Sequence, residues 1–71
     1  MKKEVAETIC GMLDDVLEKL QAFNNYINEN SDSVPIERFR SAVGVCVAEL
    51  DLKILDSVYR QFPHLKPPHL P

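Results

Sequence analysis

The first thirty residues carry apolar side chains at alternating spacings of three and four positions. This spacing is typical of an amphipathic helix with a heptad seam. Polar residues occupy the opposite face, and Gly11 is the only weak helix former in mid-run. The pattern predicts a helix over residues 3–29. Its apolar line, the first-helix seam, comprises Ala6, Ile9, Leu13, Val16, Leu20, Phe23 and Ile27.

A polar segment separates this helix from a second one. Residues 28–33 are rich in Asn, Asp and Ser, whose side chains bond to the nearby backbone and favour a turn. Ser33 is the expected N-cap of the next helix, and Pro35 fits its first turn. No helix breaker follows until Pro63, so the second helix is predicted over residues 34–62. Two helices of similar length joined by a short loop form an antiparallel hairpin.

One stretch of the second helix also has a strand-like pattern. Residues 42–55 are rich in β-branched side chains, and residues 50–54 alternate between apolar and charged. A strand there needs a turn to pair it with another strand, and no such turn signal lies nearby in the sequence. We therefore favour the helix, and with it an all-α fold.

The second helix carries more apolar surface than one neighbouring helix can cover. A first stripe faces the first helix and comprises Ile36, Phe39, Val43, Cys46, Val47, Leu50, Ile54 and Val58. A second stripe lies on other sides and comprises Ser41, Gly44, Val45, Ala48, Leu52, Leu55, Tyr59 and Phe62. Its five large side chains represent roughly 7–15 kcal/mol of driving force for burial. We therefore expect the hairpin to dimerise through the second stripe into a four-helix bundle.

Within one chain, the expected core combines the first-helix seam with Phe39, Val43, Leu50 and Ile54. The small residues of the second stripe predict a close crossing of the second helix with its symmetry mate near Gly44 and Ala48. The alternative is that Gly44 is merely tolerated in the helix.

The C-terminal tail, residues 63–71, offers a competing way to cover the second stripe. Its four prolines favour an extended conformation. Leu65 and Leu70 are positioned to fold over the second stripe, to drape over a partner subunit, or to stay free. Two leucines cover less area than the second stripe exposes, so we expect dimerisation rather than the tail to bury the second stripe. The terminal Pro-x-x-Pro segment, Pro68–Pro71, is interpreted as part of a structural tail rather than as a peptide ligand.

Composition narrows the class of protein. The 71 residues are 45% hydrophobic with a net charge of −3, which indicates one folded domain over residues 1–71 rather than disorder. No apolar run approaches the ~20 residues of a transmembrane helix, and no uninterrupted signal-peptide core is present, so we expect a cytoplasmic protein without membrane association. The absence of a basic stripe argues against nucleic-acid binding.

The cysteines and histidines do not form a recognisable chemical site. In an antiparallel hairpin, Cys10 and Cys46 are offset by about 13 Å along the axis, too far for a disulfide within one chain. Both are expected to be buried apolar residues, and a redox role or a bridge between subunits is the alternative. His64 and His69 lie in the tail without a neighbouring acid or cysteine, which makes a poor metal site. We therefore predict no catalytic residue, no metal and no cofactor.

Acidic residues cluster at Asp14, Asp15 and Glu18 on the polar face of the first helix. Paired carboxylates support acid–base chemistry only in a concave, desolvated site, so this cluster is interpreted as a solvated face. A docking patch for a basic protein is the alternative. Taken together, the sequence predicts a small non-enzymatic interaction protein, an adaptor, chaperone-like or regulatory subunit, acting as a homodimer. The alternatives are a subunit of a hetero-oligomer and, less favoured, a small metal- or ligand-binding bundle.

Overall fold

A computed structural model of the chain describes residues 1–67. These residues form an antiparallel helical hairpin without strands, as the sequence predicts. The elements are α1 (Lys3–Glu29), α2 (Ile36–Glu49), a π-helical segment (Leu50–Leu55), α3 (Asp56–Gln61) and a 3₁₀ turn (Pro63–Leu65). We refer to α2, the π segment and α3 together as the second helix. The predicted Pro-x-x-Pro segment, with His69 and Leu70, lies outside the described residues.

The connection between the helices is a hydrogen-bonded turn around Asn30. The Asn30 N–H bonds to the carbonyls of Tyr26 and Ile27, both at 3.2 Å, and its side-chain amide donates to the Tyr26 carbonyl at 2.9 Å. The Ser33 N–H then donates to the Asn30 carbonyl at 2.9 Å. The prediction that Ser33 caps the second helix is wrong, because that residue is used in the turn and Pro35 occupies the N-cap position.

The π segment changes the direction in which the second helix presents its side chains. Its N–H to carbonyl bonds span five residues, as from Asp56 to Asp51, instead of the four of an α-helix. Such a bulge acts as one extra residue, which rotates everything after it by about 100° relative to an uninterrupted helix. The Ser57 hydroxyl also donates to the Lys53 carbonyl at 3.0 Å, which gives that carbonyl a partner within the bulge. The continuous α-helix predicted over residues 34–62 is therefore corrected at Leu50–Leu55.

This rotation decides whether Ile54 or Leu55 joins the core. Among residues 1–67, the buried hydrophobic side chains are those of Ala6, Ile27, Leu55 and Val58. An uninterrupted helix would have pointed Ile54 at α1, as we predicted, but Ile54 is 38% exposed while Leu55 is only 5% exposed. The extra residue turns Leu55 inward and Ile54 away. Phe39, Val43 and Leu50, which precede the shift, are half-buried.

The start of the tail packs at the open end of the hairpin. The Met1 amino group donates to Gln61 Oε1 at 3.0 Å, which ties the chain start to the end of α3. The 3₁₀ turn that follows replaces the extended conformation predicted there, because the fixed φ of Pro63 also suits the first position of a helical turn. The rings of Phe62 and His64 meet edge to face across this turn, with centroids 6.1 Å apart.

Candidate interaction surface

The side of α1 that contacts the second helix differs from the prediction. Val16 and Phe23 of the first-helix seam are 44% and 48% exposed, so their assignment to the core is wrong. Leu17 and Asn24 are half-buried instead and lie beside α2. The line of α1 that faces the second helix, the contact seam, comprises Ala6, Cys10, Leu13, Leu17, Leu20, Asn24 and Ile27.

A second heptad line runs along α1 beside the contact seam and remains largely exposed. Its spacings also alternate between four and three, and it is offset from the contact seam by one residue, or about 100° around the helix. Five of its seven members expose between 44% and 64% of their surface. We call this line the free seam; it comprises Val5, Ile9, Met12, Val16, Lys19, Phe23 and Tyr26.

Shallow apolar depressions connect the free seam to the second helix. One, of about 430 Å³, is lined on α1 by Val16, Leu20 and Phe23, with Asp15 and Lys19 at its edge. Another, of about 260 Å³, shares Leu20 and Phe23 and continues across to α2, where its lining is Phe39, Ala42, Val43 and Cys46. One broad face of the hairpin is therefore apolar across both helices.

The second stripe is a smaller exposed surface than the sequence indicated. Leu55 is in the core and has little surface left for a partner, because the π segment turns it inward. Tyr59 and Phe62 are half-buried. Val45 and Leu52 are 60% and 69% exposed. The small members, Ser41, Gly44 and Ala48, are exposed, and a Cβ added at Gly44 meets no atom within 4 Å apart from its chain neighbours and the backbone of its own helix.

The two cysteines lie in different surroundings, and both are free thiols. Cys10 is half-buried, whereas Cys46 is exposed, so the prediction that both are buried is wrong for Cys46. Burial raises the pKa of the Cys10 thiol, and the Asp14 carboxylate raises it further. Because the thiolate is the reactive form, Cys10 is a weak nucleophile at neutral pH. Burial likewise raises the pKa of Tyr59, with Cys10, Asp14 and Asp51 adding to the effect.

Oppositely charged residues form ion pairs on the surface of the described chain. The ion pairs Lys3–Glu7, Glu49–Lys53 and Asp56–Arg60 are four residues apart on exposed helix faces, at 3.8, 2.7 and 2.9 Å. Pairs of this kind contribute little to stability. Across residues 1–67, no group of three or more His, Cys, Asp or Glu side chains is arranged to hold a metal ion. The chemistry that this surface offers is therefore apolar contact with charges at its rim.

Comparison with known proteins finds no similar family, curated protein or solved structure. Among residues 1–67, no helix combines the length and the hydropathy needed to cross a membrane.

Sequence reasoning missed the free seam although its signal is present in the chain. Val5, Met12 and Tyr26 flank the first-helix seam and are apolar. Val16 and Phe23, which were assigned to the first-helix seam, belong to the free seam. Two overlapping heptads offset by one residue explain this pattern better than one broad seam does. A single helix with two apolar seams at about a right angle is typical of a four-helix bundle, where each helix has two neighbours.

Proposed function

We propose that this chain is a small, non-enzymatic, cytoplasmic protein-interaction module that acts as a homodimer, with two hairpins forming a four-helix bundle. Its role is that of an adaptor, a chaperone-like protein or a regulatory subunit. The observation that supports this proposal is the exposure of the free seam, a heptad line of α1 in which five of seven members expose between 44% and 64% of their surface.

The balance of buried and exposed apolar residues favours association. Within residues 1–67, four hydrophobic side chains are buried, whereas ten large hydrophobic side chains are at least 37% exposed. Contiguous apolar surface of this kind marks protein interaction sites in soluble proteins. A second copy of the chain buries this exposed apolar surface without a disulfide or a metal ion. The two free thiols fit a reducing compartment.

The direct test is the mass of the full chain in solution by size-exclusion chromatography with light scattering. We expect a single species at twice the 8.1 kDa of the chain at micromolar concentration. A species of 8.1 kDa that persists up to high concentration contradicts the homodimer.

The alternative is a subunit of a hetero-oligomer, in which the helix of a different protein covers the apolar face. The acidic residues Asp14, Asp15 and Glu18 on the outer side of α1 favour a basic partner in that case. Under this alternative the isolated chain aggregates, or elutes as a mixture of sizes, in the same light-scattering experiment. A monodisperse dimer argues against it.

A further inference from the structure

The free seam has the spacing of a helix–helix contact, yet no helix of the described chain packs on it. We propose that a second copy of this chain docks there, with α1 against α1 in antiparallel orientation about a twofold axis close to Leu17. This inference rests on the proposed homodimer and specifies its interface. It differs from the dimer through the second stripe, which the sequence predicted.

The free seam matches itself under this symmetry. A twofold axis near residue 17 places positions at equal distances on either side of it opposite each other. Met12 then meets the partner's Phe23, and Ile9 meets the partner's Tyr26. At the centre, Val16 meets the aliphatic stem of the partner's Lys19, whose ammonium group extends to the rim. Every apolar member in these layers therefore gains an apolar neighbour.

Charge complementarity favours the antiparallel orientation and favours a second copy of this chain as the partner. Asp15 and Lys19 lie at the edge of the depression formed by Val16, Leu20 and Phe23. In the antiparallel dimer, the partner's Lys19 lies opposite Val16, which brings its ammonium group next to the adjacent Asp15, and the contact occurs twice. A parallel pairing of the same helices would place like charges opposite each other at both positions, which is unfavourable. A single lysine in an apolar seam is also a known device for fixing register.

The size of the surface fits a stable dimer. The hairpin measures 45 Å by 22 Å across its two largest dimensions, a projected face of about 1,000 Å². A standard interface buries about 800 Å² on each partner. The axis near Leu17 is close to the middle of α1, Lys3–Glu29, so two copies overlap along nearly the whole helix. The face also includes Phe39, Ala42 and Cys46 of α2, so the second helices meet in the same dimer.

Two glutamate variants distinguish this interface from the second stripe. Met12 and Leu52 are matched in exposure, at 64% and 69%, and lie on the free seam and on the second stripe respectively. We expect Met12→Glu to raise the dimer Kd at least about tenfold, because it places a charge opposite the partner's Phe23. Leu52→Glu should leave the Kd within about twofold, and circular dichroism checks that both variants stay helical.

The three outcomes are distinguishable. Dissociation by Leu52→Glu but not by Met12→Glu overturns the free-seam interface and leaves the homodimer intact. A wild-type chain that is monomeric removes the proposed homodimer itself. Dissociation by Met12→Glu alone supports the interface proposed here.

Charge reversal tests the antiparallel orientation. Asp15→Lys and Lys19→Asp each place like charges opposite each other twice in a homodimer, and each should weaken dimerisation about tenfold. Mixing the two variants should restore dimers, because every opposed pair is then of opposite sign. Failure of the mixture to form more dimer than either variant alone would overturn the orientation.

Cross-linking with a short bis-maleimide provides a geometric readout. Leu17–Asn24 lie beside Arg40–Val47, so Cys46 is level with about residue 18 of α1, next to the proposed axis. In a Cys10→Ser background, Cys46 should cross-link to the partner's Cys46. The matched control carries Cys46→Ser and Val45→Cys, which moves the thiol one position around the helix and onto the second stripe. Preferential cross-linking of the control would contradict the proposal.

Discussion

Adjacent residues in the π segment should differ sharply in their contribution to stability. Leu55 is 5% exposed and Ile54 is 38% exposed. Truncating a fully buried leucine to alanine leaves a cavity and typically costs about 2–5 kcal/mol of unfolding free energy. Ile54 keeps over a third of its surface in solvent, so Ile54→Ala should cost only roughly 1–2 kcal/mol.

The assay is urea unfolding of both variants and the wild type, followed by circular dichroism at matched protein concentrations. We expect Leu55→Ala to lower the unfolding midpoint clearly more than Ile54→Ala. An uninterrupted α-helix predicts the reverse order, because it points Ile54 at α1. A larger loss for Ile54→Ala would therefore refute the register shift.

Three further predictions follow from the same structure. Deleting Leu52 removes the extra residue of the π segment while Leu55 still faces α1, so the free energy of unfolding measured in urea should change by no more than about 1 kcal/mol. Deleting Val45, which precedes the segment, should lower the free energy of unfolding by more. Equal losses for the two deletions would argue against the bulge. Gly44→Ala should raise the unfolding free energy by about 0.5–1 kcal/mol because the site is open; weaker dimerisation by light scattering would instead support a close helix crossing at Gly44. The raised pKa of Tyr59 means that the folded state holds the phenol proton more tightly than the unfolded state does. The resulting contribution to the free energy of unfolding is present below the unfolded pKa and is lost as the pH rises above about 10. The alkaline loss of stability should shrink in Tyr59→Phe and persist in the control Tyr26→Phe, and identical pH profiles for the two variants would contradict this account.

The boundaries of the first helix were predictable because its signals are local. Heptad spacing and the polar turn after it give residues 3–29, as the structure has them. The face that α1 presents was harder to predict, because two heptads share this helix. Both Val16 and Leu17 are apolar and adjacent, and only the position of the second helix decides which one is covered.

The π segment explains most of the remaining error. Helical-wheel reasoning assumes a constant rotation per residue, so one inserted residue shifts which side chains face inward within and just after it. Leu55 and Ile54 exchanged places for this reason. The regular spacing of Leu50, Ile54 and Val58 favours an uninterrupted helix, so the sequence alone does not signal the bulge.

The central claim, a homodimer through the free seam, is tested most directly by an isotope-filtered NMR experiment. A sample that mixes carbon-13-labelled and unlabelled chains reports only contacts between copies. The account predicts intermolecular nuclear Overhauser effects between the Met12 methyl group and the ring of the partner's Phe23. Intermolecular effects confined to Val45 and Leu52, or none at all at high concentration, would contradict it.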